Sequence, residues 1–565
     1  WTGSLVHKRD PGITAALDLK TGQVARRRPK DQGQFPIVMS HHRCYRNKAT
    51  TRYLTLGRDG IEFIDTATGK GEGHAWVRGA CQYGVMPCNG LIYAPSHSCA
   101  CHIETKLNGF NALAPSSEAV PVDEAARLEK GPAYGGMPDA KSQMPDSKDW
   151  ATHRHDASRS GATSSTVPTA LQPAWQRKIG GTLSTVVVGE GKLLLAEIDT
   201  HTVHALDAAT GKTVWSHTAG GRVDSPPTLH GGTAIFGSAD GRITCLRLAD
   251  GALVWRFRAG QEDRRVVSYG QLESAWPIHG SVLVQDGAVC AAAGRSAYLD
   301  DGITLYRLDA RTGKQLSATP VTAGALPDVL SSDGTSLFMR HTRFDKNGVL
   351  QKTRVPHLFS PAGFLDGEEW HRTYWQFGTQ MQSGWGAWPN AGNRVPAGRL
   401  LVVRGETVYG FGRIGHYHRN GTHIGMGKVR YHLFARPVKP VKPARKGASR
   451  LAPCHWAVRL PVMPRAMLLG GDTLFVAGPP DLLTKLPTDN AHPYAIGSTD
   501  ELKAQGAAFT EGTGAKLVAV SAKDGKTLST LALQAAPVWD GLAAAGGRLY
   551  MATTDGSVVC LGAEK

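Results

Sequence analysis

The sequence predicts an all-β chain built as a single closed propeller of four-stranded blades, and three observations predict it. Glycine is abundant, at 67 of 565 residues. Helical periodicity is nearly absent. Short β-rich runs end again and again in Asp-Gly or Thr-Gly turns, and such recurrence outranks any single motif.

The repeat is visible residue by residue. Leu206-Asp207-Ala208-Ala209-Thr210-Gly211-Lys212-Thr213-Val214-Trp215 is one copy, and Leu248-Ala249-Asp250-Gly251-Ala252-Leu253-Val254-Trp255 follows it. Leu308–Lys314 and Val520–Lys526 are weaker copies that lack the Trp, while Leu17–Gly22 and Ile64–Lys70 carry the pattern to the N-terminal part. A second unit keeps the same register: Gly231–Gly237 leads to Asp240–Leu246, and Gly546–Ala552 leads to Asp555–Leu561. Each reads as strand, Asp-Gly hairpin, strand, then a Thr-Gly-Lys turn into an outer strand. A four-stranded sheet cannot bury both faces alone, so the units must stack around an axis.

Copies near both ends imply one ring. Residues 1–115 supply N-terminal blades with a Cys-rich insertion, 116–150 form a polar inter-blade linker, and 151–565 hold the remaining blades. A second long loop is expected at 435–450, and a long aromatic insertion at 340–400, where function tends to sit. Eight blades fit the length more easily than seven.

The Leu-Asp-x-x-Thr-Gly-Lys-x-x-Trp unit resembles the quinoprotein-type (PQQ-like) propeller repeat. The resemblance implies that the terminal Trp docks across the contact between blades. It leaves function open, because this repeat serves alcohol dehydrogenases and an outer-membrane assembly scaffold alike. The dehydrogenases pair vicinal cysteines against the cofactor; here the nearest approach is Cys99-Ala100-Cys101. No Ca²⁺ carboxylate set and no Cys-x-x-Cys-His can be nominated. PQQ is therefore not expected, and no cofactor is required by the leading reading.

Nine cysteines leave at least one free. Cys81, Cys88, Cys99 and Cys101 could hold a structural Zn²⁺, form disulfides in an exported protein, or stay reduced. Cys245 and Cys560 occupy equivalent strand positions before Leu and read as core.

Charge bounds the partners. Sixty-four Lys and Arg against 47 Asp and Glu give +17, a field that attracts polyanions. No zinc-finger spacing, RNP motif or recognition helix argues for nucleic acid, and no apolar run is long enough for a membrane span. No signal-peptide core follows Trp1-Thr2-Gly3-Ser4, though a signal already removed would leave the same start; a secreted or periplasmic location is expected. Oligomeric state is not legible.

Three segments break the blade pattern with polar and aromatic side chains: His41-His42-Arg43-Cys44-Tyr45-Arg46, Tyr269–Gly280, and Trp370–Trp375 followed by Trp385 and Trp388. Converging on an axial funnel, they would suit β-elimination from a uronate-containing or sulfated polysaccharide. His371, His42 or His41 would take the proton and Tyr374 or Tyr45 return one, with Arg372 lowering the barrier. Arg43, Arg46 and Arg295 would clamp acid groups. Gln271, Glu273, Trp276, His279, Trp375, Trp385 and Trp388 would bind sugar. Glu273 acting in glycoside hydrolysis would need a second carboxylate, such as Asp300 or Asp301. The bland reading of each run is a strand end whose aromatics pack between blades, and that of His153-Arg154-His155-Asp156 is closure of one blade onto the next. Alternatives to the lyase are a non-catalytic glycan- or protein-binding scaffold and a PQQ-type oxidoreductase.

Overall fold

The computed structural model describes residues 15–30, 46–57, 60–74, 76–79, 82–95, 107, 109–115, 118, 121–136, 148–322, 329–361, 363–365, 375–380, 394–413, 431–442, 450–482, 499–511 and 514–563. They are all-β: beside strands and turns they hold one α-helix, Thr499–Glu511, and a single 3-10 turn, Glu124–Ala126.

The chain forms two compact units. The first comprises 1–119 with 295–303 and 321–326; the second holds the rest. In the first unit, Lys48–Ala49, Tyr53–Leu56, Ile61–Asp65 and Gly71–His74 pair in chain order, as do Met86–Cys88, Leu91–Ala94 and Asn111–Leu113. Ile61, Val77, Val85 and Ala94 make a small core there. Asp65 accepts the backbone N–H of Thr68 at 2.8 Å, which closes the Asp-x-x-Thr-Gly turn seen in the sequence.

Beside a two-stranded hairpin, the described residues of the second unit hold eight sheets, most of four antiparallel strands in chain order. The first is Val187–Gly189, Lys192–Glu197, Thr202–Asp207 and Thr213–Thr218. The second is Thr228–His230, Thr233–Ser238, Arg242–Arg247 and Leu253–Arg258, and the third is Leu283–Gln285, Ala288–Ala293, Ile303–Asp309 and Gln315–Val321. The fourth is Leu330–Ser332, Ser336–Met339, Thr342–Asp345 and Leu350–Gln351; the fifth has three strands, His357–Phe359, Trp375–Gly378 and Ala397–Gly398. The sixth is Leu400–Arg404, Thr407–Arg413, Tyr431–Pro437 and Trp456–Val458, and the seventh is Ala466–Gly470, Thr473–Gly478, Lys516–Ser521 and Thr527–Ala532. In the eighth, Pro537–Ala545, Arg548–Thr553 and Ser557–Ala563 take their outer strand, Leu171–Lys178, from the far end of the unit.

Burial explains the composition of these strands. Middle strands such as Thr233–Ser238 and Ala288–Ala293 are buried along their whole length, because neighbouring sheets cover both faces. Outer strands such as Thr527–Ala532 face solvent on one side and alternate. The sheets share cores with their neighbours. Leu194, Val203 and Phe236 join first to second, Ile243, Val289 and Tyr306 second to third, and Leu358, Leu401 and Phe434 fifth to sixth. Leu433, Leu474 and Val518 join sixth to seventh; Leu195, Phe475 and Met551 lie in one cluster linking seventh, eighth and first. A parallel bridge, Ser281 to Val329, ties third to fourth, and Phe338 stacks on His357 at 3.8 Å between fourth and fifth.

The repeated Trp and Gly form one clasp used four times. Trp175, Trp215, Trp255 and Trp456 each donate the indole N–H to a backbone carbonyl of the next sheet, that of Ala208, Leu248, Ala310 or Ala522, at 2.9–3.1 Å. Each ring lies on a turn glycine: a Cβ on Gly211, Gly251, Gly313 or Gly525 would stand 2.5–2.8 Å from it. Those glycines also have φ of 67–77°, a conformation side chains resist. The resemblance's docking Trp is therefore present. The Trp175–Gly211 clasp joins the eighth sheet to the first. Cys245 and Cys560 pair across strands with Trp255 and Trp175, which confirms their equivalence and core role.

Two expected boundaries change. The stretch 116–150 is not only linker, since Leu128–Lys130 adds a fifth strand to the second sheet. The stretch 340–400 is no simple insertion: its described parts supply strands of the fourth and fifth sheets, where apolar alternation survives without the turn signature.

Replacing Trp215 by Ala should lower unfolding free energy by about 3–5 kcal/mol, the usual cost of deleting a large buried aromatic. Gly251→Ala should cost about 1–3 kcal/mol through overpacking against the indole. Urea denaturation of both variants checks this; a midpoint unchanged in Gly251→Ala would mean that the clasp does not hold the sheets.

Candidate functional site

The segment Trp150–Thr163 touches the inner edge of every sheet of the second unit. Trp150 exchanges two backbone bonds with Val188 of the first sheet, at 2.7 and 2.9 Å, and the Ala151 carbonyl accepts Leu229 N–H of the second at 2.8 Å. Arg159 donates to Ser281 Oγ at 3.0 Å beside the third sheet and to the Leu330 carbonyl of the fourth at 2.8 Å. Ala157 accepts from Ser332 of the fourth, Ser160 from Val403 of the sixth, and Gly161 from Leu469 of the seventh, at 2.8–3.0 Å. Ala162–Thr163 then lies parallel to Leu469–Gly470.

Arg154 ties in the remaining sheets. Its guanidinium reaches Asp540 Oδ1 of the eighth sheet at 2.5 Å, the Leu401 carbonyl of the sixth, and lies 4.1 Å over the Trp375 ring of the fifth. Trp375 Nε1 donates to the second Asp540 oxygen at 3.2 Å. Such a buried pair is held by geometry, because desolvation offsets most of its attraction. Burial pushes the Asp540 carboxyl up, with Arg154 and Trp375 opposing. Burial, with Arg154 adding to it and Asp156 opposing, brings Arg159 down to about 10. Arg154, His155, Arg159 and Asp540 all have positive φ, between 54 and 80°, strain that the surrounding contacts sustain.

A second network lies at the other end of the strands, among the loops that follow the second turns. Arg222 bonds Asp224 Oδ1 at 3.0 Å and Glu273 Oε1 at 2.5 Å; His279 Nδ1 lies 2.6 Å from the other Asp224 oxygen, and its Nε2 lies 3.8 Å from Glu273. All four side chains are at most 4 % exposed. Burial raises the Asp224 carboxyl, but the hydrogen bond and charge of His279, then Arg222, outweigh it and hold it low.

This box anchors a hairpin, Arg265–Ser268 with Gln271–Ser274, whose two-residue turn Tyr269-Gly270 has φ of 51 and 73°. Arg222 covers the Tyr269 ring at 4.7 Å, Gln271 Oε1 lies 2.6 Å from His201 Nε2 of the first sheet's turn, and the Tyr269 hydroxyl donates to the Leu365 carbonyl after the fifth sheet's first strand at 3.5 Å. The hairpin thus spans from the first sheet to the fifth. Val267 and Leu272 face each other across it, 79 and 55 % exposed.

Of the residues expected to bind sugar, several lie within the described residues and are engaged elsewhere. Glu273, Trp276, His279 and Trp375 are buried at 0–4 % exposure and engage the chain's own groups, so none presents a face to a sugar. Gln271 is held by His201 and the Asp199 carbonyl. Arg46 is exposed in the first unit, where Arg295 is also found, half-buried. Asp300 and Asp301 stand at positive φ in a turn. His41, His42, Arg43, Tyr45, His371, Arg372, Tyr374, Trp385, Trp388, Cys81, Cys99 and Cys101 lie outside the described residues. Cys88 is an exposed free thiol, and among the described residues no group of three His, Cys, Asp or Glu could hold a metal. The side chains at the inner edges are committed to one another and do not fit a quinone such as PQQ. Sequence reasoning missed Arg222, Asp224 and Asp540; Arg154 and Arg159 were signalled only by the dense run His153–Asp156 and the Arg159-Ser160-Gly161 that follows it.

Residues 153–326 match the family model for outer membrane protein assembly factor BamB. They carry the PQQ-like propeller repeat. The outer membrane protein assembly factor BamB of Burkholderia pseudomallei is 29 % identical over 150 residues, 26 % of this chain and 35 % of that protein, so the match spans about a third of the relative. Among solved structures, a quinohemoprotein alcohol dehydrogenase from Comamonas testosteroni is similar at 15 % identity, over 75 % of this chain and 82 % of that one, with a TM-score of 0.45. BamB from Moraxella catarrhalis follows at 12 % identity, over 70 and 98 %, with a TM-score of 0.38. No helix among the described residues is long and apolar enough to cross a membrane.

Replacing Arg154 by Met should cost about 3–5 kcal/mol, because it strands the buried Asp540 carboxylate; adding Asp540→Asn should restore part of it, read by urea midpoints. A pH dependence follows from His153, which burial and then the Arg159 and Arg154 charges hold well below 6.5. The unfolded chain takes up a proton there that the folded one refuses, so stability falls as pH drops below about 6.5. His153→Phe, which keeps the edge contact with Phe364, should flatten that slope between pH 7 and 5 by about one proton.

Proposed function

We propose that the eight sheets form one eight-bladed propeller, complete within the second unit, and that it acts as a non-catalytic docking scaffold outside the cytoplasm. Support for closure comes from the unbroken circuit of sheet contacts and from Leu171–Lys178 completing the C-terminal sheet. The repeat match to an outer membrane protein assembly factor favours the exported, scaffold reading.

The observation that carries the scaffold reading is the hairpin. Its inner face is fixed by buried charges, while its outer face shows Val267, Leu272 and part of Tyr269 to solvent. Anchored exposed apolar residues are a binding element, not a packing failure. An extended segment can lay its apolar side chains against Val267 and Leu272. The exposed Arg265 beside Val267 selects a partner segment that alternates apolar with acidic residues.

Acidic and basic versions of an alternating apolar decapeptide test this. The acidic peptide should bind and the basic one should not; Val267→Glu with Leu272→Glu should weaken binding at least about tenfold without shifting the unfolding midpoint. Equal binding of both peptides, or an indifferent double variant, refutes the docking face. Incubation with uronate-containing and sulfated glycans should give no absorbance at the wavelength of unsaturated uronate products; product formation would restore the lyase.

A further inference from the structure

The opposite ends of the sheets hold a cavity of about 580 Å³ that the hairpin reading leaves unused. It lies between the hub segment and the first turns of the fourth and sixth sheets, whereas the hairpin rests on second turns, and successive turns of an antiparallel sheet lie at opposite ends. Its volume falls in the range of small-ligand sites.

Its walls have two characters. Apolar side chains are Phe338, Leu358 and Phe377, with His357 stacked on Phe338. The His357 ring nitrogens face the Val355 and Arg340 carbonyls at 3.0 and 2.6 Å, so its polar edge is already occupied. Interleaved with them are short oxygen-bearing chains, among them Ser158, Ser164, Ser331, Asp156 and Asp333, Ser331 lying directly across the strands from Phe338.

Both carboxyls stay ionised. Burial opposes ionisation of Asp156, but hydrogen bonds from His155, Ser160 and Ser158 outweigh it and bring it to about 2. Asp333 is held low in the same sense, burial being outweighed by bonds from Thr335 and Ser336. The Arg404 guanidinium on the rim is already engaged with Asp472 at 2.9 Å and the Gly471 carbonyl.

Aromatic and aliphatic side chains interleaved with hydroxyls and fixed carboxylates match a pyranose, which has an apolar ring face and a hydroxyl edge that donates hydrogen bonds. Two fixed negative charges with the nearby cation occupied repel an acidic sugar. We infer that this cavity binds a short neutral saccharide and rejects uronates, the reverse of the polyanion preference that net charge suggests. The inference does not depend on the hairpin reading.

Saturation-transfer NMR and calorimetry with the intact chain would use maltotriose, cellotriose and triacetylchitotriose, with trigalacturonate as the acidic comparator. At least one neutral trisaccharide should bind, at least about tenfold more tightly than trigalacturonate. Ser164→Trp, which fills the cavity from its exposed rim, should abolish binding and leave the urea midpoint in place. Asp333→Asn should narrow the discrimination against trigalacturonate. The Val267→Glu and Leu272→Glu chain should bind sugar normally, which separates this site from the hairpin. No neutral binding up to about 10 mM, equal affinity for trigalacturonate, or binding indifferent to a folded Ser164→Trp would each overturn the inference.

Discussion

The second unit depends on two buried guanidiniums carried by one irregular segment. Arg154 and Arg159 sit where the inner edges of the sheets meet, and each bonds groups from more than one sheet. First-strand carbonyls and N–H groups of several sheets face this segment and need partners there. A regular strand could pair with only one edge. A chain that turns through positive φ at Arg154, His155 and Arg159 can offer a backbone bond to one sheet after another, and the long planar arginines reach those it misses.

That arrangement has consequences for assembly. Almost every bond of the hub joins residues far apart in sequence: Arg154 to Asp540, Trp150 to Val188, Gly161 to Leu469. The outer strand Leu171–Lys178 likewise waits for Ser557–Ala563, the last strand of the chain. Local hairpins and clasps such as Trp215 on Gly251 can form early, because their loops are short, whereas hub and closure pay their loop entropy together at the end. Strain at the hub persists because contacts from several sheets over-determine it.

Legibility in the sequence followed the same division. The clasps were readable because they need fixed chemistry at fixed spacing: an Asp to cap the turn, a Gly that a Cβ would ruin, a Trp to cover it. Where contacts are generic the repeat fades, so parts of the fourth and fifth sheets looked like an insertion at 340–400, although His357–Phe359 within it is a buried strand. The extra strand Leu128–Lys130 was hidden by its polar surroundings. The candidate site was less legible for a different reason. His, Arg, Glu and Trp have the same identity in a catalytic cleft and in a buried brace; only distance and exposure separate them. Glu273 and His279 shared a segment as supposed, but their partners, Arg222 and Asp224, come from a loop more than forty residues earlier, and no local pattern announces such a pairing.

The two ends of the array then differ by what their loops must do. Second-turn loops carry the long excursion between the second and third sheets, and a hairpin of that size cannot keep one geometry by itself. The Arg222 box supplies the missing fixation, with Arg222 also covering Tyr269 at the hairpin turn. Charges buried beneath the hairpin leave apolar side chains to its outer face. First-turn loops are short, and their tightness leaves the space beside the hub open, lined by whatever the turns present: serines, two carboxylates and the backs of aromatic rings. Net charge of the whole chain therefore says little about either surface. Arg222 beneath the hairpin and Arg404 at the cavity rim are already paired with Asp224, Glu273 and Asp472, so selectivity at each end is set by the few groups left facing outward, Arg265 among them.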